Sequence, residues 1–175
     1  MSINYDKLNT YLASSTAFDP GATPEDIFTI TGNATTNVYV LKMGISTVQT
    51  TAGSSAWYLA KRSTANAGGT TANVVEVPVQ SGNPAAGATV LQYTASPTTD
   101  GTLIGNVWSG YVASPDVASA TLSPGGIIVD FETMLGQPLA LLSAAESLGW
   151  NFNNVAKPAG LLVLAWVLWA EGSKT

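Results

Sequence analysis

The chain reads as an all-β protein, an antiparallel β-sandwich. Three observations predict it. Short runs alternate apolar and polar residues; Gly, Pro, Asn, Asp and Ser punctuate them at regular spacing; and the strand patterns do not alternate with helical ones as βα units would. The runs number about eight or nine. At 175 residues one core is the economical arrangement, and no internal repeat, heptad run or linker argues for more.

Residues 1–25 read as an N-terminal arm ahead of a sandwich domain at 26–175. Tyr5, Leu8 and Leu12 have helical spacing behind Asn4, a possible cap, and Phe18-Asp19-Pro20-Gly21 breaks the pattern. So short a helix needs a surface to pack on. The arm is therefore expected to fasten to a neighbour through Tyr5, Leu8 and Leu12 and to stay outside the sandwich core. Ile27 to Thr31 is β-branched and makes a first strand, which Gly32-Asn33 turns.

The stretch from Asn37 to Thr71 is the centre of the pattern. Tyr39, Leu41, Met43 and Ile45 fall on one side of a strand and Lys42, Gly44 and Ser46 on the other. Ala52-Gly53-Ser54 turns the chain into a return strand carrying Trp57 and Leu59, and Lys61-Arg62 leads into a polar loop from Ala65 to Thr71. Further strands follow at Val74 to Val79, with Val75, Val77 and Val79 on one face, at Thr89 to Ala95, at Asn106 to Ala113 and at Ile127 to Glu132. Residues 138–149 are ambiguous. Pro138, ten good helix formers and Gly149 predict a helix by local rules, while Leu148, Trp150 and Phe152 alternate as a strand. Leu161 to Glu171 is the last element, apolar on both faces.

Composition narrows function. Hydrophobic residues make up 46% and charged residues 10%, so the surface is polar but poor in charge, which favours packing against neighbours. A net charge of −5 is opposite to a phosphate-binding footprint, and nucleic acid is excluded as an expected partner. With no Cys and no His, thiolate and imidazole chemistry and the common transition-metal ligands are missing, so neither an enzyme nor a cofactor or metal site is expected. The start MSINYDKLNTYL lacks the basic and apolar regions of a secretory signal, and Gly160 to Ala170 is too short to span a bilayer, so cytoplasmic assembly without a membrane is expected.

Four groups could carry chemistry, each with a plainer reading. Asp130 and Glu132, two apart on one strand, could pair as a calcium site or stand as two solvated acids. Lys61-Arg62 before a Gly-rich loop could hold an anion or end a strand at the surface. Gly68 and Gly69 lack the lysine and following helix of a phosphate loop. The five tryptophans could include a sugar platform, or fill the core. Trp166 and Trp169, three apart, cannot share a face of a flat strand, so one points away from the core. Leu162, Leu164, Trp166, Leu168 and Trp169 are the expected contacts between copies of the chain.

Loop signatures carry one resemblance. Lys61-Arg62-Ser63-Thr64-Ala65-Asn66 with Gly68-Gly69-Thr70, Pro84 to Ala88 with Tyr93-Thr94-Ala95, Gly125 to Phe131 with Gly136-Gln137-Pro138, and Asn151 to Val155 with Pro158-Ala159-Gly160 follow in order. Over residues 26 to 171 the chain resembles a family of tailed-phage and prophage virion proteins. That resemblance implies a jelly-roll-like sandwich in which 138–153 makes two strands around Ala144-Ala145-Glu146. It also implies a virion structural protein, a capsid decoration or cement protein forming a homotrimer on the head, whose partners are itself and the major capsid or another virion protein. Tyr5, Leu8 and Leu12 would then be the capsid contact. The alternative is a tail-tip or fibre-associated jelly-roll adhesin that binds host-surface glycans. In similar sequences the last strand is more polar than Leu161 to Trp169 is here.

Overall fold

A computed structural model describes residues 8–116, 118 and 125–174. Two antiparallel six-stranded sheets face each other across an aromatic core, as expected of a β-sandwich. The strands are β1 (Asn9–Ser14), β2 (Asp26–Thr31), β3 (Thr36–Val48), β4 (Gly53–Arg62), β5 (Thr70–Asn73), β6 (Glu76–Pro78), β7 (Thr89–Ala95), β8 (Leu103–Ser114), β9 (Gly125–Asp130), β10 (Leu139–Leu141), β11 (Ser147–Asn151) and β12 (Leu162–Ser173). The first sheet has the order β10-β3-β12-β1-β6, with β9 also paired to β3; the second has the order β5-β7-β2-β11-β4-β8. Twelve strands among the described residues exceed the eight or nine of the sequence pattern, because short edge strands such as β5, all exposed, carry no alternation.

β1 corrects the arm. Residues 9–14 are an inner strand of the first sheet, between β12 and β6, and Tyr11 and Ala13 are buried in the core. Phe18, also buried, exchanges backbone hydrogen bonds with Val163 at 3.0 and 2.9 Å. The helical spacing of Tyr5, Leu8 and Leu12 lost to the strand alternation of Tyr11 and Ala13, which lies on the same residues. A six-residue segment gains more from two strand neighbours than from an isolated turn.

β3 corrects the central pattern. Its register against β12 slips between Leu168 and Trp169, so Leu41 is an extra residue, a β-bulge. Val38 and Val40 face the core before it, and Met43 and Ile45 after it, which turns Tyr39 to the outer side. The valine run breaks as well. Val74 donates its N–H to Val90 of the second sheet, and the chain then crosses to the first, leaving Val75, Val77 and Val79 exposed.

Residues 138–149 are strands, not a helix. Leu139–Leu141 joins β3 in the first sheet and Ser147–Asn151 runs between β2 and β4 in the second, with Ser143 to Glu146 as the turn. Glu146 closes that turn, its N–H donating to Ser143 and its carboxylate accepting from Leu142 N at 2.8 Å. Burial of Leu148 and Trp150 in the core outweighs local helix propensity. Helix does occur next to the run Ile127 to Glu132: β9 ends at Asp130, and α1 (Phe131–Leu135) follows. The Asp130 side chain accepts from Thr133 N at 3.1 Å as its N-cap, and Gly136 at φ 70° ends it. Between the sheets, Trp57 meets Phe152 edge-on at 4.7 Å and Trp108 meets Trp150 at 5.5 Å.

Candidate functional site: the outer face of the first sheet

Side chains alternate across a strand, so one face of β12 turns to the core and the other away from it. Val163, Ala165, Val167 and Trp169 point inward, and Leu162, Leu164, Trp166 and Leu168 outward. The register widens this stripe. Leu168 stands opposite Leu12, and Leu12 opposite Val77, so one row holds three apolar side chains in succession. The next row runs Ser14, Trp166, Gly44 and Ile128. A Cβ at Gly44 would collide with the Trp166 indole, so the glycine is what lets that ring lie over the β3 backbone. Exposure is 64% for Ile128, 54% for Val77 and 44% for Leu164, and a shallow apolar notch of about 70 Å³ between Ala17, Val48 and Leu162 ends the stripe. Lys42 and Asp130 close the Leu168 row with an ion pair of 2.8 Å. The hydrogen bond from Lys42 and then that from the Thr133 backbone hold the Asp130 carboxyl below its ordinary range, and Asp130 in turn raises Lys42.

Four of the five expected contact residues therefore share this face. Trp169 does not, and that expectation is corrected. It is fully buried, stacked on Tyr11 at 5.5 Å, and its Nε1 donates to Glu171 Oε1 at 2.9 Å. Parity along an unbroken β12 decides this: residues three apart take opposite faces. Of the residues assigned to a capsid contact, Leu12 belongs to the apolar row, Leu8 lies against Gly172, and Tyr5 lies outside the described residues.

The outer face of the second sheet is built differently. Arg62 of β4, Asp26 of β2 and Asn151 of β11 meet there, because a bulge at Ile27 turns Asp26 to the side of Arg62. Asp26 accepts from Arg62 Nε at 2.6 Å and Nη2 at 3.2 Å, from Asn66 Nδ2 at 2.7 Å and from Asn151 Nδ2 at 2.7 Å. Arg62 Nη1 donates to Gly101 O at 2.6 Å, and Gly101 N to Asn66 Oδ1 at 2.9 Å, so the loops carrying Asn66 and Gly101 lie over the pair. Burial disfavours the Arg62 charge, but the hydrogen bond and charge of Asp26, with Asp100 and Glu25 behind it, outweigh that and raise its pKa. Sequence reasoning missed this cluster; its signal was that Arg62, Asn66 and Asn151 all fall inside the loop signatures of the resemblance.

The other candidates resolve into structure. Lys61 points between the sheets and donates to Ala140 O at 3.0 Å, so Lys61 and Arg62 form no anion site. Asp130 caps α1 and Glu132 lies in that helix, so they are not neighbours on a strand. Among the described residues no group of three or more acids could hold a metal ion. Trp57, Trp150 and Trp169 are wholly buried, as core packing requires. Glu171 is buried too, accepting from Gly87 N, Ala88 N and Thr36 Oγ1 beside a polar recess of about 260 Å³. No helix among the described residues is long and apolar enough to cross a membrane. No protein-family model, curated protein or solved structure matches the chain.

Proposed function

We propose that this protein is a non-enzymatic structural component of a phage particle, a trimer decorating the head shell, whose copies meet through the outer face of the first sheet. One observation carries the assembly reading: Val77, Leu12, Leu168, Trp166, Leu164 and Ile128 form adjoining apolar rows on a face no part of the described chain covers. Contiguous apolar patches of this kind on a soluble domain mark a partner surface. A second copy is the occupant because the face ends on a neutralised ion pair and presents no net charge to attract a charged partner. The low charged fraction, 10%, fits a surface meant to pack. The phage setting rests on the ordered loop signatures alone. The adhesin alternative has little aromatic surface to work with: Trp108 and Trp166 are half-buried, and Tyr111, 74% exposed, stands apart on the edge strand β8.

Light scattering of the full chain at micromolar concentration tests the assembly. An oligomer burying at least about 1,000 Å² is expected, and Leu164→Ser with Trp166→Ser should return it to a folded monomer with the parent's β-sheet circular-dichroism spectrum. A monomeric parent protein overturns the reading. Addition to undecorated particles tests the setting, since saturation at lattice-scale copy number supports decoration and a handful of copies per particle supports a tail tip.

A further inference from the structure

The covered face of the second sheet carries a second pair of acids that the Arg62 cluster does not neutralise. Glu25 precedes β2, and Asp100 sits in the loop between β7 and β8. Both line a recess of about 200 Å³ with Arg62, Asn106, Asn151 and Asn153. That loop is pinned at both ends, and between them Thr98 N and Thr99 N donate to Ala67 O at 3.0 and 3.1 Å. Ser96 Oγ donates to Thr23 O at 2.9 Å and accepts from Glu25 N at 3.3 Å, while Gly101 is held by Arg62 and Asn66 and Thr102 N donates to Thr64 Oγ1 at 2.7 Å. Asp100 thereby lines the same recess as Glu25, and its carboxyl is the main cause that raises the Glu25 pKa. Asp100 Oδ1 is buried and receives no N–H or hydroxyl from the rest of the described chain. Arg62 does not serve it: three of its five N–H groups go to Asp26 and Gly101, and neither of the other two reaches Asp100 Oδ1. A carboxyl whose buried oxygen has no donor, set beside a second carboxyl, favours one proton held between the two.

We propose that Glu25 and Asp100 form a proton-operated clasp that ties loop 96–102 to segment 23–26 and lets go when both carboxyls ionise. The groups facing it are Arg62 of β4, whose charge opposes proton uptake, Asp26 of β2, which favours it, and Tyr93 of β7, which burial keeps protonated; β11 contributes only the neutral Asn151. The hydrogen bond to Asp100 first, then burial, push Glu25 from 4.5 up to about 7. The folded state thus binds this proton more tightly than the unfolded chain. Its stabilisation is complete below about 4.5 and is lost as pH rises through about 7. This clasp does not depend on the assembly reading, since it lies on the other sheet.

Carboxyl carbon-13 titration and amide exchange on the full chain test it. The pair should take up one proton with an apparent midpoint near 7. Protection of residues 97–103, corrected for intrinsic rate, should fall about tenfold or more between roughly pH 5.5 and 8.5, one pKa unit being tenfold. Glu25→Gln, a neutral donor at every pH, should hold protection at the low-pH level throughout. Should that variant fail to fold, Asp100→Asn is expected to flatten the profile in the same way. Carboxyls that both titrate below about 5, or a variant that keeps the parent's pH dependence, would overturn the clasp.

Discussion

The outer faces of the two sheets are both made by alternate residues of antiparallel strands, and they part company in what lies over them. Around Arg62 the outward residues of the second sheet are polar and charged, and loops from the same chain close over them with matched donors and acceptors. On the first sheet leucine, isoleucine, valine and tryptophan dominate the rows around β12, with Ser14, Gly44 and Lys42 among them, and none of the described residues covers them. The difference teaches what an ionised pair does in each place. Arg62 and Asp26 are inside, where they fix the seating of two loops, whereas Lys42 and Asp130 only edge the apolar rows of the first sheet. A buried pair of this kind is weak evidence for net stability but strong evidence for one geometry, because losing either partner strands the other.

The largest expected effect comes from breaking the covered face. Asp26→Ala, or Arg62→Ala, should cost about 3–5 kcal/mol in urea unfolding. A cost near zero would mean that the loops sit on the sheet without depending on the pair. Next is the contrast within β12. Trp169→Ala empties a core site and should cost about 3–5 kcal/mol, whereas Trp166→Ala should cost about 1 kcal/mol or less while dissolving the oligomer. Equal costs would erase the distinction between the strand's two faces. Gly44→Val sharpens it further. The new side chain must displace the Trp166 indole, so association should weaken strongly with a stability loss of about 1–2 kcal/mol. Lys42→Gln is the smallest: no measurable change in unfolding, but a carboxyl titration of Asp130 that moves up toward its ordinary value once the Lys42 hydrogen bond is gone.

Much of the fold was legible because alternation is a local property. The runs at Ile27 to Thr31, at Met43 and Ile45 and at Trp57 and Leu59 declare strands by alternation, Leu161 to Glu171 is an apolar run, and these are strands that carry the core. The failures share one cause. The face taken by Tyr39 depends on a bulge at Leu41 that exists only because β12 pairs with both halves of β3. The arm became β1 because β12 and β6 were there to receive it. The helix of the local rules over 138–149 gave way to two strands, as the resemblance implied, because β3, β2 and β4 were there to pair with them.

The candidate surface was half legible for the same reason. That Leu162 to Trp169 has two apolar faces is written in its residues, and so is the opposition of Trp166 to Trp169. Which of the two faces the core takes is not, because it depends on partners brought from far along the chain, β1 on one side of β12 and β3 on the other. The sequence by itself determined an antiparallel sandwich, its principal strands and a last strand too apolar to be covered on one side alone. Tertiary structure alone decided that loops close over the Arg62 side of the second sheet while no described residue covers the apolar rows of the first. The physical reason is that alternation assigns side chains to two faces within a strand, while burial of a face is settled by the hydrogen bonds and packing of residues that the local pattern never sees.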